Sequence, residues 1–207
     1  PKPDVPYDLA THCDAIEELV TEHRPRAIVG HSMGAIIGLE LFRRFPDIPV
    51  GVMVSPAVFA SADEAERAFA RHHRVGALTL PSRPLGRLSC AVMCHLRPIL
   101  RPILPMFARD LPADVVKAGL DHNWHSMSRS LDKVVWAGLV PGLMAQVGGR
   151  VTVIHGTDDQ TVPVGNVEQL RGSSLEFSRV DGGHLLPLYS PEVVASAVLG
   201  RLMDTSD

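Results

Sequence analysis

The sequence has few cysteines, no long apolar run and no excess of basic charge, and each shortage excludes a class of protein. Its three cysteines, Cys13, Cys90 and Cys94, are odd in number and lack the spacing of a metal site or a redox pair. We therefore expect reduced, mostly buried thiols and no disulfide framework. No apolar stretch reaches membrane-spanning length and no signal peptide is visible, so a cytoplasmic location is expected.

The charge balance also argues against nucleic acid as a partner. The net charge is −3, and no basic run is interleaved with aromatic residues that would stack on bases. With 45% apolar and 21% charged residues, 17 Gly and 17 Pro, the composition is that of one soluble globular domain with a sizeable core.

The most informative stretch is Gly30-His31-Ser32-Met33-Gly34. It follows the short apolar run Ala27-Ile28-Val29 and precedes an apolar run of helix length, residues 35–45, an order that predicts strand, sharp turn and helix. A serine at the tip of such a turn is exposed beside the unpaired N–H groups of the helix N-terminus. Gly30 and Gly34 are expected to permit a close approach of strand and helix, where any Cβ would clash.

Further strands of the same kind follow along the chain. Residues 50–54 and 151–154 are continuous apolar runs, which is typical of strands that are buried on both faces. Asp8 is suited to cap the N-terminus of a helix that begins directly after it and has Cys13 and Val20 on its apolar face. Since strands joined through helices form parallel pairs, the predicted fold class is α/β, with a mostly parallel sheet flanked by helices.

Two kinds of titratable residue follow the serine in the chain. Asp158 and Asp159 lie in the turn after the strand 151–154, and His184 follows the last predicted strand, residues 175–180. A serine hydroxyl is barely nucleophilic near neutral pH, so it must lose its proton to a histidine as it attacks a carbonyl. A carboxylate then fixes the tautomer of that histidine and stabilises the imidazolium.

In this context Gly30-His31-Ser32-Met33-Gly34 resembles the nucleophile elbow of the α/β-hydrolase superfamily, which includes serine esterases, lipases and thioesterases. The resemblance implies a catalytic triad of Ser32, Asp159 and His184, with the Met33 N–H as one oxyanion donor. It selects Asp159 over Asp158, because the superfamily's acid stands three residues after a glycine, with a Val-Pro pair shortly beyond. Asp158 is the second choice.

The long connection between the second and third strands, residues 56–150, has helical periodicity, which Pro84, Pro98 and Pro102 are expected to break. We interpret residues 60–142 as an inserted helical lid, and residues 1–59 and 143–207 as the α/β-hydrolase core. The resemblance implies that an insertion at this point covers the nucleophile and shapes the acyl pocket. Val162 and Leu185 are the predicted pocket walls on the core side, with Trp124 a candidate from the lid.

No metal or other cofactor is predicted. His122 and His125 are close enough in sequence to pair on the lid, but no third ligand accompanies them.

The predicted lid is strongly basic. From Arg67 to Arg109 there is no Asp or Glu, while Arg67, Arg71, Arg74, Arg83, Arg87, Arg97, Arg101 and Arg109 are all present, with apolar residues beside them. This composition is typical of a solvated basic face, and it also fits contact with an anionic lipid surface or with an acidic carrier such as acyl-coenzyme A.

The resemblance is to the C-terminal half of the superfamily fold. The elbow strand is normally the fifth of eight, yet only 31 residues precede Ser32. We therefore expect the remaining strands to come from an absent N-terminal segment or from a partner. The superfamily's second oxyanion donor, from a loop commonly marked by His-Gly, has no match before Ser32.

Together these features predict a serine hydrolase that cleaves a carboxylic ester or thioester with an apolar acyl group through an acyl-enzyme. Ser32, where other branches have Asp, argues against dehalogenase and epoxide-hydrolase chemistry. Acyl transfer, carbon–carbon bond hydrolysis and cofactor-free peroxidation use the same triad and stay open. The alternative from another class is a non-catalytic ligand-binding or scaffold protein on a hydrolase fold.

Overall fold

A parallel sheet forms the centre of the computed structural model, which describes residues 4–72, 80, 85–107, 111–172 and 176–205. Its four described strands lie in chain order: β1 (Ala27–His31), β2 (Val50–Val54), β3 (Val151–Gly156) and β4 (Glu176–Val180). Each pairs in parallel with the next, so their carboxyl ends meet at one edge of the sheet. The predicted α/β class is confirmed, while Leu175, the predicted first residue of the last strand, lies outside the described residues.

Helices connect and cover these strands. In the described part of the chain they are α1 (Leu9–His23), α2 (Met33–Arg44), α3 (Ala62–His72), α4 (Gly86–His95), α5 (Arg97–Phe107), α6 (Ala113–Ala118), α7 (Trp124–Ser130), α8 (Val140–Val147), α9 (Val164–Glu168), α10 (Leu186–Tyr189) and α11 (Pro191–Asp204). A π-helical turn, Leu131–Val135, continues α7. Short 3₁₀ turns follow α8 and α9.

The core has two parts, one on each face of the sheet. Helices α1, α2 and α8 pack against one face around Met53, Val153 and Phe42. Helix α11 packs against the other face, over Val52, Ile154 and their neighbours. Because β2 and β3 are buried along their whole length, both faces of these strands must be apolar, which explains their continuous apolar runs.

Helices α1 and α2 are also held by polar contacts. The Asp8 carboxylate accepts the Thr11 N–H at 2.9 Å, which confirms the predicted cap of α1. Arg44 near the end of α2 forms ion pairs with Glu40, Asp14 and Glu17, the last two from α1. These contacts fix α1 against the helix that follows Ser32.

Strand β1 lies at one edge of the described sheet, where it pairs with β2 alone. Val29 is 49% exposed at this edge, although its neighbours Ile28 and Gly30 are buried. An apolar strand is therefore open on one side within the described residues. That a further segment or a partner covers it stays a prediction.

The described part of the connection between β2 and β3 is helical, from α3 to α8. Two details differ from the sequence-based expectation. Helix α5 continues through Pro102, which was expected to break it, because the carbonyl left unpaired by the proline lies on an exposed turn. Helix α8 spans the expected boundary at residues 142 and 143, and Val140, Leu143 and Met144 are buried in the core. The division into core and lid stays a prediction.

None of the described helices is both long and apolar enough to cross a bilayer.

Candidate active site

Ser32 occupies the sharp turn between β1 and α2. Its φ is 54° and its ψ −119°, a left-handed backbone conformation that is strained for any residue with a Cβ. The Ser32 N–H donates to the Val54 carbonyl at 3.0 Å, which ties the turn to the end of β2. The Ser32 side chain makes no capping bond to α2, so its hydroxyl is available to a partner outside the helix.

Of the two glycines in the turn, only Gly30 is required by close packing. A Cβ on Gly30 would lie 2.4 Å from the Gly34 carbonyl oxygen and 2.7 Å from the Ala35 Cα. A Cβ on Gly34 would meet no atom within 4 Å, because this residue borders a groove along the edge of β1. The prediction that a Cβ at Gly34 would clash is therefore wrong.

The structure brings Ser32, His184 and Asp159 into one hydrogen-bonded chain. The distance from His184 Nδ1 to Asp159 Oδ2 is 2.8 Å, and from His184 Nε2 to Ser32 Oγ it is 3.0 Å. Because a carboxylate only accepts, His184 Nδ1 carries the hydrogen in this contact. A neutral His184 then presents a lone pair at Nε2, to which the Ser32 hydroxyl donates.

Asp159 is 5% exposed and its carboxylate is fully engaged. Oδ1 accepts the backbone N–H groups of Thr161 at 2.9 Å and Val162 at 2.8 Å, while Oδ2 faces His184. Burial alone would raise the pKa of Asp159, but hydrogen bonds from His184 and Val162 outweigh it and hold that pKa below its ordinary value. Asp158 is exposed and bonds through its backbone N–H to Gly182, so the structure places Asp159, and not Asp158, at His184.

Two further histidines contact this chain of groups, and neither was assigned a role from its sequence position. His31 Nε2 lies 2.8 Å from the His184 carbonyl oxygen, and the two rings are 4.9 Å apart. His155 is fully buried; its Nε2 lies 2.9 Å from the Val162 carbonyl oxygen and 3.5 Å from Asp159 Oδ2. Burial lowers the pKa of both imidazoles, so both are neutral near pH 7 and donate through Nε2–H to these carbonyls.

A tight contact holds together the two loops that carry Asp159 and His184. A Cβ on Gly156, at the end of β3, would lie 2.4 Å from the Gly182 carbonyl oxygen. The Asp158 N–H donates to that same oxygen at 2.9 Å. The position of His184 is therefore set by backbone contacts as well as by its ring.

An apolar cavity of about 370 Å³ opens beside Ser32 and His184. Val162 and Leu185 line it, as expected from the sequence. Trp124 does not, because it lies at the start of α7 against Gly86; Trp136, just after the π-helical turn, lines the cavity instead. Met33, predicted as an oxyanion donor, also lines the cavity, whereas the remaining lining residues were not identified from sequence: His31, Ala57, Phe59, Ala65, Phe69, Leu131, Val135 and Thr161.

Met33 is the first residue of α2 and lines the same cavity. Helix geometry leaves the first N–H groups of α2 without intrahelical acceptors, and the Met33 N–H directly follows Ser32. The positive end of the helix dipole thus lies beside the serine hydroxyl, which favours negative charge at this point.

A second serine–histidine contact shows what is specific to Ser32. His12 Nε2 lies 3.0 Å from Ser130 Oγ, the same distance as in the His184–Ser32 pair. Ser130, however, is buried inside α7 and does not line the cavity. Distance alone does not distinguish the two pairs; the strained turn, the carboxylate and the cavity do.

Among the residues that the structure describes, no group of three His, Cys, Asp or Glu side chains could hold a metal ion.

Comparisons with known proteins identify the family and agree with the fold. The model of the alpha/beta hydrolase family matches residues 1–197. A hydrolase from Pseudomonas aeruginosa PA01 is 22% identical with a TM-score of 0.63, over 96% of this chain and 73% of that one. An esterase from Exiguobacterium antarcticum is 16% identical with a TM-score of 0.58, over 95% and 74% of the two chains.

A mutant epoxide hydrolase from Bacillus megaterium is also similar, at 14% identity and a TM-score of 0.54, over 98% of this chain and 79% of that one. Likenesses at these identities establish the fold, and proteins with different reactions share it. No curated protein matches the sequence.

Proposed function

Because the chain belongs to the alpha/beta hydrolase family, we propose that it is a serine hydrolase cleaving a carboxylic ester or thioester with an apolar acyl group. The single observation that carries this proposal is the hydrogen-bonded chain Ser32–His184–Asp159 at the wall of an apolar cavity. Family and fold support a hydrolase; the kind of bond and the roles of the three side chains are our proposal.

In the first step, Ser32 Oγ attacks the carbonyl carbon and its proton passes to His184 Nε2. The Asp159 carboxylate, 2.8 Å from His184 Nδ1, stabilises the imidazolium that forms. The Met33 N–H donates to the developing oxyanion. When the tetrahedral intermediate collapses, His184 gives its proton to the leaving alcohol or thiol, and an acyl-serine remains.

In the second step, water attacks the acyl-serine. His184 Nε2 takes a proton from this water and then returns one to Ser32 Oγ, which restores the enzyme and releases the acid. The buried carboxylate supports this cycle because its lowered pKa keeps Asp159 ionised throughout the neutral pH range.

The lining of the cavity favours an apolar acyl group. Its walls include Phe59, Phe69, Val135 and Trp136, which offer no charge to bind a polar acyl chain. A volume of about 370 Å³ lies near the lower end of the range for ligand sites, so we expect small or medium acyl chains to fit. Each methylene that enters the cavity should raise kcat/KM about fourfold, from about 0.8 kcal/mol per buried CH₂.

Labelling with a fluorophosphonate probe tests the proposal directly, since the probe reacts only with an activated serine. We expect the native protein to be labelled, Ser32→Ala to be unlabelled, and Ser130→Ala to be labelled like the native protein. A series of para-nitrophenyl esters of increasing chain length then measures the acyl preference. Absence of labelling in the folded native protein would favour a non-catalytic binding protein. Labelling that is lost in Ser130→Ala and kept in Ser32→Ala would place the reactive serine at Ser130 and contradict the assignment of Ser32.

A further inference from the structure

Exposed apolar side chains are concentrated on two neighbouring helices, α4 and α5. Of the 15 large hydrophobic side chains that are exposed in the described part of the chain, eight lie within residues 85–107. Six of them recur three or four residues apart and are called here the α4–α5 stripe: Leu88, Val92, Leu96, Ile99, Ile103 and Phe107. Ile99 is 58% exposed and Phe107 80%. A concentration of exposed apolar side chains of this kind marks an interaction site on a globular protein.

The charges beside the stripe have one sign. Residues 85–107 contain no Asp or Glu, whereas Arg87, Arg97 and Arg101 lie among the apolar side chains. Arg97 is anchored, since its guanidinium donates to the His122 carbonyl at 2.5 Å. Arg101 reaches Asp121 at 3.1 Å, but both side chains are nearly half exposed, so this pair leaves Arg101 able to take another anionic partner.

The remaining arginines of the basic segment add less to this surface. Arg67 and Arg71 on α3 share a surface groove with Asp63 and Glu66, which offset their charge. Arg74, Arg83 and Arg109 lie outside the described residues. Among the described residues, Arg87 and Arg101 are therefore the arginines that supply basic charge beside the stripe.

We propose that the α4–α5 stripe docks on an anionic lipid surface, with its apolar side chains below the headgroups and Arg87 and Arg101 at headgroup level. An apolar face flanked by arginines is the pattern of helices that lie in the membrane interface. Helix α5 has 11 residues, about 16 Å of length, so it lies on a bilayer whose apolar core is about 30 Å thick and does not cross it. The carbonyls left unpaired by Pro102 and Pro105 require water, which the headgroup region supplies.

Other occupants match only part of this surface. An acidic soluble carrier would satisfy the arginines but would leave the apolar stripe in water. A second copy of the chain would cover the stripe but would bring the same arginines together with like charge. The lipid surface satisfies both, and the proposal does not depend on the hydrolase function because docking is measured without turnover.

Sedimentation with vesicles tests the docking. Vesicles of phosphatidylcholine containing phosphatidylglycerol should bind the native protein, while vesicles of phosphatidylcholine alone should bind it much less, and added salt should weaken binding. Phe107→Glu and Ile99→Glu should each reduce partitioning about tenfold or more, since an apolar contact becomes a charge of the wrong sign. Arg87→Gln should reduce it about fivefold.

Matched controls come from exposed residues outside the stripe. Met203→Glu on α11, where Met203 is 68% exposed, and Arg24→Gln after α1 should bind vesicles like the native protein. Because all these positions are exposed, circular dichroism and the thermal midpoint should show unchanged folding. As a direct measure of insertion, the added tryptophan in Phe107→Trp should shift to shorter emission wavelength on anionic vesicles, and that in Met203→Trp should not.

Several results would overturn the proposal. These are equal binding to neutral and anionic vesicles, unchanged binding of Phe107→Glu in a folded protein, or equal losses in Met203→Glu. Vesicle-independent self-association that Phe107→Glu abolishes would assign the stripe to a second copy instead. Saturable binding of acyl-coenzyme A that Arg87→Gln abolishes, without vesicle binding, would assign the surface to a soluble acidic carrier.

Discussion

Replacing Asp159 by asparagine tests the proposed roles of all three side chains with a change of one functional group. In the native protein, Oδ1 accepts the N–H groups of Thr161 and Val162, at 2.9 and 2.8 Å. In Asp159→Asn the amide oxygen must take this place, because the NH₂ group offers no acceptor to two N–H donors. The amide nitrogen then faces His184 Nδ1, where the carboxylate oxygen lay at 2.8 Å.

This orientation reverses the tautomer of His184. An amide N–H donates to Nδ1, so the imidazole carries its own hydrogen on Nε2, which points at Ser32 Oγ 3.0 Å away. His184 can no longer accept the serine proton, and the imidazolium loses its buried counter-charge. We expect kcat/KM to fall about 10⁴-fold, which corresponds to about 5 kcal/mol of transition-state stabilisation.

The assay is the hydrolysis of a short para-nitrophenyl ester, together with the rate of fluorophosphonate labelling. Asp158→Asn is the matched control, since this exposed neighbour lies in the same turn and should lose less than about twofold. The thermal midpoint of Asp159→Asn should stay close to native, because both backbone N–H groups keep an acceptor. If a folded Asp159→Asn kept a tenth of the activity, or Asp158→Asn lost as much, the reasoning would be refuted.

Three further predictions concern packing, the cavity and the buried thiols. Gly30→Ala should lower the free energy of unfolding by about 3 kcal/mol or more, because its Cβ would lie 2.4 Å from the Gly34 carbonyl oxygen. Gly34→Ala should leave the free energy of unfolding unchanged or raise it, because its Cβ would meet no atom within 4 Å. Equal urea midpoints of the two variants would contradict this prediction. Trp136→Ala should move the optimum of an ester chain-length series to longer acyl groups, since Trp136 lines the cavity, and an unchanged optimum would exclude it as a wall. Burial raises the pKa of Cys13 and of Cys90 to about 11, while the same thiols in the unfolded chain have a pKa of about 9. Between about pH 9 and pH 11 the unfolded chain loses protons that the folded protein keeps, so the free energy of unfolding should fall as the pH rises through this range. Urea midpoints against pH would show this fall in the native protein and a smaller one in Cys13→Ala/Cys90→Ala; identical slopes would contradict the prediction.

Patterns that act over a few residues were sufficient to predict much of the fold. The apolar runs of β1, β2 and β3, the Asp8 cap and the glycine before Ser32 are local features, and local sterics and burial determine what they form. The α/β class, the strand–turn–helix at Ser32 and the order Ser, Asp, His along the chain could therefore be read from the sequence. The superfamily resemblance, and not spacing, selected Asp159 over its neighbour Asp158.

The helices between β2 and β3 were predicted less well, because packing overrides local preference there. Pro102 was expected to end a helix, yet α5 continues through it on an exposed face. Trp124 and Trp136 both lie in the predicted lid, residues 60–142, and nothing local distinguishes the one that reaches the cavity. A π-helical turn between them changes which side chains face inward.

The amino-acid sequence thus determined which residues are candidates for the proposed chemistry and which segments form the strands and the helices α1 and α2. Only the tertiary structure decided that Ser32 and His184, 152 positions apart, lie 3.0 Å from each other, and that His31 contacts His184 while His155 lies beside Asp159. It also decided that Gly30, and not Gly34, is required by packing. The physical reason is that secondary structure follows from neighbours along the chain, whereas these distances depend on how strands β1, β3 and β4 and their loops pack across the sheet.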